Sequence, residues 1–102
     1  MTAGSLEEAR QIGRVLVEKK LAACGNLIEG MCSLYQWNGE IQEDRETVMI
    51  VKTRHELVGE LTRTVKSGHS YESPCILEHP VHGGNPEFLN WIRTETDSSS
   101  SR

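Results

Sequence analysis

An Asn38-Gly39 pair between two long arms constrains this chain more than any other feature. A type I′ turn needs positive φ at both central residues, and Asn followed by Gly supplies it at low steric cost. Leu27 and Ile28, then Leu34, Tyr35 and Trp37, lead into the turn. The return arm is polar from Glu40 to Glu46 and fully apolar from Val48 to Val51. Each arm is then about a dozen residues, about twice the usual strand length. Gly30 is placed to form a bulge that bends the first arm. A polar tip carried so far projects beyond any core that 102 residues can build. The expectation is an arm that grips a neighbouring subunit, with Trp37 as its packing anchor.

Core supply points the same way. Leu, Ile, Val and Phe fill 23 of the 102 positions, enough for one domain with a thin core that an interface completes. The formal charge of −4 offers no basic stripe for nucleic acid. No apolar run approaches the roughly 20 residues of a membrane span, and no secretory leader is visible. Three cysteines at spacings of 8 and 43 make no secreted disulfide framework. A cytoplasmic protein with buried structural thiols is expected.

Along the chain, Ser5 and Glu8 read as a capping box, and Ala9, Ile12 and Leu16 share one face of a helix from Ser5 to Lys20. Lys19 and Lys20 close it where the helix dipole favours cations. The run Val48 to Val51 does not alternate, so it is expected to be a central strand buried on both faces. A second helix carries Leu57, Val58, Leu61 and Val65 and stops at Gly68. Pro74 precedes a short strand, Cys75 to Glu78, and Asn85-Pro86 opens a last helix with Phe88, Leu89, Trp91 and Ile92. Residues 1–94 then form one domain, and residues 95–102 a disordered Ser-rich tail. Helices crossing over an antiparallel sheet give an α+β fold of the split-βαβ, ferredoxin-like kind, with helices on one face and a long hairpin arm. That fold begins with a strand, which here is expected to be missing or cut short.

Glu18-Lys19-Lys20-Leu21-Ala22-Ala23-Cys24 with Asn26, and Ser33-Leu34-Tyr35-Gln36-Trp37-Asn38-Gly39-Glu40-Ile41, form one pair of motifs. Ile50-Val51-Lys52-Thr53, His69-Ser70-Tyr71-Glu72-Ser73-Pro74 and Gly84-Asn85-Pro86-Glu87-Phe88-Leu89 with Trp91-Ile92 follow in order. Together they resemble the CutA family of divalent-cation tolerance proteins, without obvious gaps from Thr2 to Ile92. The resemblance implies a ferredoxin-like homotrimer associated with copper and other divalent cations. It also implies an opening apolar strand that lies centrally and ends near Thr2-Ala3. Some bacterial members are associated with copper through a cysteine at the end of that strand and two adjacent histidines before the Tyr-Glu turn. Met1, Gly68 and His69 stand at those positions here, so His69 carries over as a metal ligand and Met1 offers a thioether to Cu(I).

The other donors do not assemble locally. Cys75 and His79 on one extended strand would be about 13 Å apart, too far to share a metal whose ligands lie at about 2–2.3 Å. A closed site within one chain is not expected; one shared between subunits through His69, or weak surface binding, is. Lys52 ends a buried strand and is expected to line a ligand cleft or interface with Tyr71 and Glu72, Trp37 being the fourth member of that set. Ser70 beside His69 is not a triad, and no phosphate-loop lysine follows His82-Gly83-Gly84-Asn85. A metal-responsive protein without catalysis, requiring no cofactor, is the leading expectation. The alternative is a signalling module akin to the trimeric PII proteins, binding a small ligand between subunits; a structural trimer is the third.

Overall fold

The computed structural model describes residues 1–97. Strand β1 (Thr2–Ala3) leads into helix α1 (Leu6–Glu18); β2 (Cys24–Trp37) and β3 (Glu40–Lys52) form the hairpin. A single 3-10 turn at His55–Leu57 precedes α2 (Val58–Gly68), and α3 is Pro86–Glu95. The sheet is antiparallel in the order β1-β3-β2.

Asn38 and Gly39 both hold positive φ, at 51° and 80°, so the turn is of the kind that the dipeptide demands. Beyond it the register runs from Trp37↔Glu40 to Met31↔Glu46, slips by one residue, and resumes at Ile28↔Val48. Gly30, at φ 86°, sits in that slip and forms the expected bulge. The molecule is 48 Å long against 27 × 21 Å across, because the arm continues past the helices.

Helix α1 is capped by Ser5, whose hydroxyl accepts from the Glu8 amide at 3.1 Å. Its far end closes without glycine. Leu21 N–H donates to the Leu16 carbonyl at 2.9 Å and Lys20 N–H to Val17 at 3.1 Å, the two bonds of a Schellman motif. Lys20 therefore takes the left-handed position at φ 59°, while Leu21 folds back into the core beside Leu16. Since a side chain in that region costs about 1 kcal/mol or more, Lys20→Gly is expected to raise the unfolding free energy by about 1 kcal/mol, read from urea midpoints.

One face of the sheet carries the core. Ala3, Thr47 and Met49 are buried there, with Leu27 and Val51 packed alongside, under Ala9, Ile12 and Leu16 of α1 and Leu61 and Val65 of α2. The opposite face is open. Paired residues share a face, so Ile28 with Val48 and Asn26 with Ile50 look outward. Ile50 is 47% exposed and Ile28 54%. The expectation that Val48–Val51 is buried on both faces thus holds for one face only, because the helices cover one side of a two-sided apolar strand.

Two other expectations change. Cys75–Glu78 forms no strand; β1 is two residues long, and among the described residues no ladder partner reaches that segment. Gly68 is the last helical residue of α2, not a left-handed stop, and His69 ends the helix in extended conformation. The opening strand is present in short form, pairing Thr2 with Val48 and Ala3 with Thr47. At the other end α3 runs to Glu95, and Thr96 is buried against Arg54, whose Nε and Nη2 donate to its hydroxyl and carbonyl at 2.9 and 2.8 Å. The expected Ser-rich tail, Ser98–Ser101, lies outside the described residues.

Candidate functional site

His69 follows α2 directly, and the extended backbone there turns its ring back toward β1. Nδ1 accepts the Tyr71 amide hydrogen at 2.9 Å, so Nε2 carries the ring proton and donates to the Thr2 carbonyl, also at 2.9 Å. The Tyr71 ring lies 4.7 Å away, centroid to centroid. Its hydroxyl donates to Glu46 Oε2 at 3.0 Å. Burial, and then that hydrogen bond to a carboxylate, push the Tyr71 phenol up to about 12.

Glu8 completes the cluster from the α1 side. Its Oε1 accepts from the Gly4 amide at 3.0 Å and its Oε2 from the Ser70 amide at 2.7 Å. The capping-box carboxylate thus satisfies a neighbour of the N-cap and, in addition, ties the helix start to the His69–Tyr71 turn. Burial alone would raise this carboxyl; bonds from Ser70 and Gly4 and the nearby His69 outweigh it and hold Glu8 below its ordinary 4.5. A depressed folded-state value means stability that is present above 4.5 and lost as pH falls through the lowered value. Glu8→Gln is accordingly expected to lower the urea midpoint at pH 7 and to leave a smaller difference from wild type at pH 3.

The remaining site residues are dispersed. Glu72 is exposed and takes no part in this cluster. Lys52 stands on the open sheet face, pairs with Cys24 in register, and donates through Nζ to Asn26 Oδ1. Along β3 it is six residues from Glu46, the partner of Tyr71, a separation of about 20 Å. Lys52 and Tyr71 therefore do not share a cleft within one chain. Trp37 is 60% exposed at the arm tip, opposite Glu40. Met1 packs against the core, and its backbone amine donates to the Met49 carbonyl at 2.9 Å.

The donor set of one chain does not fit a closed cation site. Both His69 ring nitrogens are committed, and among the described residues no three His, Cys, Asp or Glu side chains converge. Cys24 is half-buried, but Cys32 and Cys75 are exposed free thiols, contrary to the expectation of buried cysteines. Cys32 lies on the projecting arm and Cys75 in an unpaired segment, neither of which the helices cover. A pair that no local pattern signals is His55 with Glu78, hydrogen-bonded across 23 residues of sequence; that bond raises the His55 pKa.

A groove of about 1310 Å³ runs between β3 and the stretch from Ile76 to Asn85, floored by Leu61 and flanked by α3. No helix among the described residues is long and apolar enough to cross a membrane.

Comparison with known proteins places this geometry. The family of CutA1 divalent ion tolerance proteins matches residues 1–95. The divalent-cation tolerance protein CutA of Archaeoglobus fulgidus is 49% identical over 92 residues, covering 90% of this chain and 89% of the relative. Its Thermus thermophilus counterpart is 43% identical over 96 residues, covering 94% and 93%. The chain spans about half the length of the mouse and human Protein CutA relatives, at 46% and 47% identity. Among solved structures, the A. fulgidus protein, described as a periplasmic divalent cation tolerance protein, superposes with a TM-score of 0.92 at 47% identity, covering 94% of this chain and 93% of that one. The T. thermophilus structure gives 0.92 at 43% identity over the same shares. A two-strand arm with a Gly bulge, a helix-covered sheet and nearly complete coverage by these relatives agree: the chain belongs to the CutA1 divalent ion tolerance protein family.

Proposed function

We propose that this protein is a non-catalytic, homotrimeric divalent-cation tolerance protein of the cytoplasm, which takes up copper or a related divalent cation at a site completed between subunits. The open sheet face carries this reading. Ile28, Val48 and Ile50 form an apolar strip on one side of a sheet whose other side is fully used, and the arm adds exposed Leu34, Trp37 and Ile41. Exposed apolar area on this scale in so small a chain marks an interface between subunits. The names of the relatives supply the cation.

In this reading His69 is the first ligand from each chain. Nε2 becomes available when it releases the Thr2 carbonyl, one residue along the chain from Met1, and a neighbouring subunit supplies the remaining donors. Copper binding then competes with the His69–Thr2 bond and loosens the β1 end of the sheet. Calorimetric titration of the assembled protein with Cu(II) tests this. His69→Ala is expected to weaken binding about tenfold or more, the size of losing one ligand. Unchanged affinity would remove His69 from the site. Saturable heat with a nucleotide panel, and none with cations, would replace the metal reading with that of a small-ligand module.

A further inference from the structure

The Asn38-Gly39 turn that closes the arm holds both partners of a covalent reaction. We infer that Asn38 is a self-modification site, where the Gly39 backbone nitrogen attacks the Asn38 side-chain amide and converts it, through a cyclic imide, to aspartate and isoaspartate. Water is the only co-reactant. The Gly39 nitrogen gives its proton to solvent base and bonds to Asn38 Cγ; the Cγ–Nδ2 bond breaks and ammonia leaves. Water then opens the ring at one of two bonds. Breaking the new Cγ–N bond restores the main chain with an aspartate. Breaking the bond from the Asn38 carbonyl carbon to that nitrogen leaves isoaspartate, whose main chain runs through Cβ and Cγ. No oxidant or reductant takes part.

The nucleophile is unobstructed. Gly39 has no side chain, and nothing stands within 4 Å of the position a Cβ would take. The last pair of the ladder is Trp37↔Glu40, so the Gly39 N–H lies beyond the cross-strand bonds and faces water. The electrophile is equally open. Asn38 is exposed at φ 51°, and among the described residues no hydrogen bond holds its side-chain amide. Every residue from Leu34 to Ile41 is exposed, so no packing opposes the backbone rotation that brings nitrogen and Cγ together.

The other asparagines lack this combination. Asn26 lies inside the ladder opposite Ile50, its Oδ1 accepts from Lys52, and branched Leu27 follows it. Asn85 precedes Pro86, whose nitrogen has no proton to give, and its Oδ1 accepts from the Glu87 amide at 3.1 Å. Asn90 stands within α3, where the next amide, of Trp91, is tied into the helix.

Conversion acts on the arm through its turn. Two residues at positive φ join the strands with the twist that keeps them in register. Isoaspartate lengthens the main chain between Trp37 and Glu40 and leaves a carboxylate at the tip. The turn then no longer matches the strands, and the Trp37↔Glu40 pair opens first.

The test ages the 102-residue protein in warm buffer at pH 6 and at pH 9 and locates mass changes in its proteolytic peptides. Asn38 should gain the mass of an amide-to-acid exchange, divided between aspartate and isoaspartate, at least about tenfold faster than Asn26, Asn85 or Asn90. The gain should be faster at pH 9, because the attacking nitrogen must lose its proton. Asn38→Gly keeps a residue that accepts positive φ and removes the electrophile, so its tip should hold its mass. In the separated isoaspartate fraction, hydrogen exchange should quicken at the Trp37 and Glu40 amides relative to fresh Asn38→Asp, which carries the charge without the longer chain. The inference is overturned if Asn38 converts no faster than Asn26, if it converts in urea but not in the folded protein, or if the isoaspartate fraction exchanges like Asn38→Asp.

Discussion

Ile50→Asp is expected to yield a folded single chain, dissolving the proposed trimer. Ile50 lies on the open face, away from the helices, so its own subunit loses little by the change. In the proposed trimer the same side chain packs against neighbours, and an aspartate there would be a buried charge without a partner. Such a charge costs about 3–5 kcal/mol, enough to weaken association by at least about two decades. Far-ultraviolet circular dichroism should be unchanged while the mass falls to that of one chain, and Ile50→Val should keep the assembly. An Ile50→Asp protein with wild-type mass would take the open face out of the interface.

Leu16→Ala is expected to cost the fold about 3 kcal/mol, and to leave so thin a core close to unfolding. Leu16 is 1% exposed, lies over the buried sheet face, and accepts the Leu21 amide in the motif that ends α1. Truncation removes its packing and the contact that holds Leu21, 3% exposed, against the helix end. Urea unfolding measures it; a loss below about 1 kcal/mol would mean that the core collapses around the gap or that α1 is held mainly from elsewhere.

The local features were legible because short-range stereochemistry dictates them. Asn38-Gly39, Gly30, the Ser5 cap with Ala9, Ile12 and Leu16, and the Asn85-Pro86 start each depend on neighbours within a few residues. What the sequence did not disclose lies at long range. Glu8 was recognisable as a capping-box residue, but not its bond to Ser70, 62 positions away. His69 was singled out by its ligand chemistry, whereas the two hydrogen bonds that occupy it come from Tyr71 next door and Thr2 across the fold. Cys75–Glu78 has the composition of a strand, yet a strand is a pairing, and composition cannot show whether a partner edge arrives. Lys20 is the exception at short range: with no glycine, the helix end gave no sign of its left-handed turn, which is held by Leu21 burying itself beside Leu16.

In the proposed trimer three sheet faces close on one another. The light-scattering mass of the 102-residue protein at micromolar concentration decides whether they do. The expected mass is three times the 11.4 kDa of one chain. A mass of one chain at that concentration would rule the trimer out.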